Sequence, residues 1–134
     1  MDNKGLVVIY NNEANETKVE VKLIDNNAWM TQDQIVLLYQ SSKSNISEHI
    51  KHIIDEGELS ADSVVRNFRI TASDGKMYNV KHYNLDMIIA IGYRVRSNIG
   101  TNFRKWATST LHEYMVKGFA LNDNILKMEM YFGD

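Results

Sequence analysis

The sequence predicts an α+β domain, and three stretches carry that expectation. Residues 6–24 alternate apolar and polar side chains across an Asn/Glu-rich turn, the period of half-buried strands. Residues 30–54 hold two apolar patterns of helical period separated by a short polar turn. Residues 64–114 open with a second alternating stretch that folds back on itself, then continue into two further helical patterns.

Taken in order, Leu6–Tyr10 and Lys18–Ile24 form a hairpin around the turn Asn11–Glu16, with Val19, Val21 and Leu23 on one face and Lys18, Glu20 and Lys22 on the other. Asp25-Asn26-Asn27 makes the next turn, and Trp29 anchors it to the core just ahead of Thr31. Thr31 is an N-cap whose partner Gln34 can reach back to it, a capping box directly before Ile35, Leu38 and Tyr39. After Gln40-Ser41-Ser42, Ser42 caps a second helix whose Ile46, Ile50, Ile53 and Ile54 face inward. Glycine would suit the turn better than Gln40, because a left-handed glutamine costs roughly 1 kcal/mol, so the turn is expected to depart slightly from the usual shape. Gly57 can close the second helix in the left-handed conformation.

The register of the hairpin Val64–Tyr83 follows from its loop. A two-residue Asp74-Gly75 loop would mix the faces. A three-residue Ser73-Asp74-Gly75 loop with Gly75 left-handed pairs Ile70 with Tyr78 and Phe68 with Val80, keeping the apolar set together. Asn67, Arg69, Asn79 and Lys81 then share the opposite face. Asn84 can cap a third helix through Leu85, Ile88, Ile89 and Ile91 toward Arg94 and Arg96, with Asp86 in its first turn. Asn98-Ile99-Gly100 breaks that helix. A last one starts near Thr101, carries Phe103, Trp106, Ala107, Thr110, Leu111 and Tyr114 as its apolar stripe, and ends at Gly118.

Composition narrows the functional classes. With 134 residues, 44% hydrophobic and 24% charged, the chain can bury a core without disulfides or metal, and it carries no cysteine. Zero cysteines suit a reducing cytoplasm. The best apolar run, Met87–Ile91, stops at Gly92, so no membrane span is expected, and no basic-then-apolar leader opens the chain. The net charge is only −2, but it is segregated: residues 63–106 hold eight basic side chains against Asp74 and Asp86, while residues 1–62 hold five against eleven acidic. A middle segment this basic can provide the footprint that phosphate binding needs.

Two helices joined by a tight turn, followed by a basic hairpin, make up a winged helix-turn-helix, here with an N-terminal β-hairpin in front and two C-terminal helices behind. The expected ligand is duplex DNA. Lys43, Ser44, Asn45 and Glu48 would lie near bases, and Lys51, Arg69 and Lys81 on phosphates. Arg94, Arg96, Arg104 and Lys105 would be further phosphate contacts or an interdomain latch, the latch being preferred.

WMTQDQI, NISEHIKHIIDEGEL, the hairpin around SDGKMY, YNLDMIIAIGYRVRS, GTNFRKWATSTLHEYMVKG and FALND, in that order, closely resemble the N-terminal region of the RhuM family of bacterial virulence-associated proteins. The words YNLDMIIAIGYRVRS and GTNFRKWA are the most specific. The resemblance implies a DNA-binding protein of mobile elements or pathogenicity islands, sometimes encoded near Fic/Doc-type toxins. Family members are generally longer and continue into further helical sequence, and they tend to carry glycine where Gln40 stands. Residues 1–120 are accordingly expected to form the DNA-binding domain and residues 121–134 a tail leading into a missing C-terminal region.

Two other classes compete. His49 and His52 lie three apart on one helix beside Asp55 and Glu56, but no third metal ligand of suitable spacing follows, so neither a metal, another cofactor nor an enzyme is expected. The serious rival is a protein-interaction or homodimerisation module, or one gripping a C-terminal partner domain, because Tyr93-Arg94-Val95-Arg96 and Phe103-Arg104-Lys105 mix aromatics with arginine as interface hot spots do.

Overall fold

A computed structural model describes residues 6–12, 17–95 and 98–130, with side chains described for residues 6–11, 18–95 and 98–114. Five antiparallel strands form one sheet in the order β1-β2-β3-β5-β4, made of β1 (Leu6–Asn12), β2 (Thr17–Ile24), β3 (Asn27–Thr31), β4 (Val65–Thr71) and β5 (Met77–Asn84). The helices are α1 (Gln32–Tyr39), α2 (Lys43–Asp55), the single turn α3 (Ala61–Val64), α4 (Leu85–Val95) and α5 (Asn98–Met130). The architecture is therefore mixed α+β, as the alternating and helical patterns require.

The sheet buries both faces, unequally. Val19, Val21, Leu23, Ala28, Met30 and Tyr83 point to the side that α1, α2, α4 and α5 cover, and there they join Ile35, Leu38, Ile46, Ile53, Ile88, Ile91 and Phe103 in the main core. On the other side Ile24, Trp29 and Phe68 form a small second cluster. Trp29 thus does anchor the segment before Thr31, but on the outer face, where its ring meets Phe68 at 5.7 Å and its indole N–H donates to the Ile24 carbonyl.

β3 was not anticipated as a strand. It begins at a two-residue turn in which Asp25 and Asn26 take φ values of 55° and 61°, with Ile24 paired to Asn27 across it. Two successive left-handed residues are the signature of a type I′ hairpin, and Asp and Asn tolerate that conformation best after glycine. β3 then pairs with β5, joining the N-terminal hairpin to the second one.

The local signals at the helix ends are realised. Thr31 accepts from the Gln34 N–H while the Gln34 side chain accepts from the Thr31 N–H, completing the capping box. Asn84 caps α4 by accepting from the Met87 N–H, and its amide donates to the Ser63 carbonyl. Gly57, at φ 78°, closes α2, with the Gly57 N–H on Ile54 and the Glu58 N–H on Ile53, the paired bonds of a Schellman motif. Gln40 ends α1 the same way. It takes φ 53° and ψ 45°, its N–H meets Leu37, and the Ser41 N–H meets Val36. The expected change in turn shape is absent, because two capping bonds outweigh about 1 kcal/mol of left-handed strain.

The last helix departs from expectation at both ends. It starts at Asn98, the first residue of the expected break, and runs through Gly118 to Met130. A glycine inside a helix costs about 1 kcal/mol relative to alanine, too little to stop a helix of this length. Gly100 instead serves a close approach: it packs against Gly92 of α4, where a Cβ would sit 3.4 Å from the Gly100 Cα and 2.7 Å from the Tyr39 hydroxyl. That hydroxyl donates to the Ile88 carbonyl at 2.6 Å, pinning the end of α1 onto α4.

Candidate nucleic-acid interface

α2 is strongly two-faced. Ile46, Ile50 and Ile53 are buried, whereas Lys43, Ser44, Asn45, Ser47, Glu48, Lys51 and His52 are exposed. Ser42 fixes the entry by accepting from the Asn45 N–H at 3.0 Å, and the Gln32 amide donates to the Lys43 carbonyl. The first turn of α2 is thus tied down at its backbone while its side chains stay in solvent. Lys51 pairs with Asp55 at 3.0 Å, both largely exposed. A surface pair of this kind contributes about 0–1 kcal/mol and yields readily to a competing anion.

The hairpin β4–β5 has the register that its loop length dictates. Ile70 pairs with Tyr78, Phe68 with Val80, Arg69 with Asn79 and Asn67 with Lys81. Asn67, Arg69, Asn79 and Lys81 are all exposed. Because strand residues alternate between faces, this row continues the side of Val65 and Tyr83, both of which meet the main core. The polar row and α2 therefore belong to the same side of the sheet. The other row runs from buried His82 and Phe68 to Val80 and Tyr78.

The remaining cations divide according to their partners. Arg66 bonds Asp25 at 2.7 Å and covers the Phe68 and Trp29 rings. Arg94 reaches from α4 to Glu56 at 2.9 Å and Glu58 at 3.1 Å, just past the end of α2, and these carboxylates raise its pKa. Arg104 lies over the Tyr93 ring and donates to its hydroxyl. Lys105 is exposed, and Arg96 lies outside the described residues. Among the described residues, Lys43, Arg69 and Lys81 enter no ion pair. Asp55, Glu56 and Glu58, beside Gly57, pair instead with Lys51 and Arg94.

Two features escaped the sequence reading. At the hairpin tip the Asp74 carboxylate accepts from the Tyr78 hydroxyl at 2.7 Å and the Lys76 N–H at 2.8 Å, which lowers its pKa. An Asp followed by glycine in a turn is the signal that could have found it. His82 is fully buried beneath Phe68, its ring 4.8 Å away. The strand alternation that places it opposite Arg66 was there to be used.

A cavity of about 320 Å³ opens between α4 and α5, lined by Ile89, Gly92, Tyr93, Thr101 and Arg104 among others. Among the described residues no three His, Asp or Glu side chains gather as a metal would require, and no helix is long and apolar enough to cross a membrane.

Comparison with known proteins adds one finding. A model of the Virulence protein RhuM family matches residues 63–134, more than half of the chain. The matched stretch takes in the hairpin, α4 and α5 and leaves α1 and α2 outside it. No curated protein and no solved structure matches the chain.

Proposed function

The chain belongs to the Virulence protein RhuM family, and from that premise we propose that it is a winged helix-turn-helix domain that binds duplex DNA, with α2 entering the major groove and the β4–β5 hairpin acting as the wing. Lys43, Ser44, Asn45 and Glu48 meet base edges, and Lys51, Arg69 and Lys81 meet phosphates. The role is binding rather than catalysis. The observation that carries the reading is the pairing of an outward, polar α2 face with a basic hairpin row on the same side of the sheet. Its cations Lys43, Arg69 and Lys81 enter no ion pair among the described residues.

Fluorescence anisotropy with random-sequence duplex at two salt concentrations tests it. Three phosphate contacts imply a slope near −2.7 in log affinity against log salt, or roughly a fortyfold loss between about 50 and 200 mM. Lys43→Ala should weaken binding by about tenfold at low salt. Absence of binding at low salt would shift the reading to a protein-interaction module. That second reading draws on Tyr93, which is 63% exposed beside Arg104.

A further inference from the structure

Met77 is one of several large apolar side chains exposed to solvent, and its place at the tip of the basic hairpin distinguishes it. It pairs with Thr71 at the last rung of the β4–β5 ladder, and alternation puts it in the same row as Arg69, Asn79 and Lys81. Its side chain is 55% exposed, so it contributes little to either core, and its neighbours are a cationic and amide strip. The tip that carries it is stiffly built. Ala72 and Lys76 pair at 2.8 Å, the Gly75 N–H reaches the Ala72 carbonyl at 2.9 Å, and Gly75 takes φ 83°. Asp74 adds bonds from Tyr78 and Lys76. Tyr78, the other exposed apolar residue at this end, is held by its hydroxyl and points to the opposite face.

We infer that Met77 is a wedge that inserts between two base pairs of bound DNA from the minor groove and bends the duplex. The inference rests on the DNA-binding reading of the same hairpin. An unbranched, polarizable thioether can slide between stacked bases, and apolar wedges of this kind unstack one step and kink DNA toward the major groove. Lys76, next to it in the chain, and Arg69 and Lys81, further along the same row, supply the attraction that brings a polyanion onto the hairpin. A preformed tip keeps the wedge extended, so insertion does not first have to order the loop.

The experiment measures end-to-end energy transfer in a doubly labelled random-sequence duplex together with binding affinity, for the wild type, Met77→Ala, Met77→Leu and Arg69→Ala. The wild type should shorten the end-to-end distance. Met77→Ala should bind about tenfold more weakly with most of the bend lost and the salt slope unchanged, while Met77→Leu keeps the bend. Arg69→Ala should keep the bend and flatten the salt slope. A wild-type complex that binds without bending, or a Met77→Ala complex bent as much as wild type, overturns the wedge and leaves DNA binding standing. No binding to duplex at low salt overturns both.

Discussion

His82 is the residue whose environment has the clearest energetic consequence. Its Nδ1 lies 2.8 Å from the Val80 carbonyl, which assigns the proton to that nitrogen, and Nε2 is buried with no partner among the described residues. Burial, aided by the positive charge of Lys22, lowers the pKa, against the opposing pull of the Val80 carbonyl. A neutral ring in the fold and an ordinary ring in the unfolded chain link stability to pH with a definite sign. Below about pH 6.5 the unfolded chain takes up a proton that the fold refuses, so stability falls as pH drops from there toward the depressed folded value. Above that window the group contributes no slope. Urea denaturation between pH 7.5 and 5 should show this decline, and His82→Phe, which keeps the packing against Phe68, should remove most of it. Equal pH dependence in both proteins would mean that another group is responsible.

At the scale of elements, Gln40 gives a direct test of the turn between α1 and α2. Its φ of 53° places a Cβ-bearing residue where glycine is preferred. Gln40→Gly should therefore stabilise by at most about 1 kcal/mol, since relief of the left-handed strain is partly offset by the freer unfolded chain. It should leave DNA affinity unchanged, because the turn already has its capped geometry. A fall in thermal midpoint would show that the glutamine side chain matters more than its backbone. The starts of α1 and α2 were legible in the sequence because caps are local: Thr31 with Gln34, and Ser42 with Asn45. β3 was not, for an identifiable reason. Ala28 and Met30 face the main core while Trp29 faces the second cluster, and a strand buried on both sides shows no alternation of apolar with polar residues. The exposed face of α2 and the hairpin register were readable from period and loop length. The partner of Arg94 was not, because no periodicity connects α4 to Glu56 and Glu58.

At the scale of the whole molecule, cations held within the chain are separated from those left to solvent, and Arg94 is where that division can be tested. Its side chain is 26% exposed and bridges α4 to two carboxylates beyond the end of α2. On the proposed DNA-binding reading it offsets negative charge that would repel a DNA backbone laid along α2, and it links α4 to the residues that end α2. Arg94→Ala should reduce stability only slightly, given the exposure of both glutamates. It should also weaken DNA binding a few-fold at low salt through the unmasked carboxylates. The number of phosphates neutralised would not change, however, so the salt slope should match wild type, whereas Arg69→Ala should lose about 0.9 from it. Adding Glu56→Gln and Glu58→Gln to Arg94→Ala should restore the affinity, since the charge that Arg94 offset is then gone. If Arg94→Ala instead flattens the slope as Arg69→Ala does, and the two glutamine substitutions fail to rescue it, Arg94 leaves its glutamates in the complex and grips a phosphate directly.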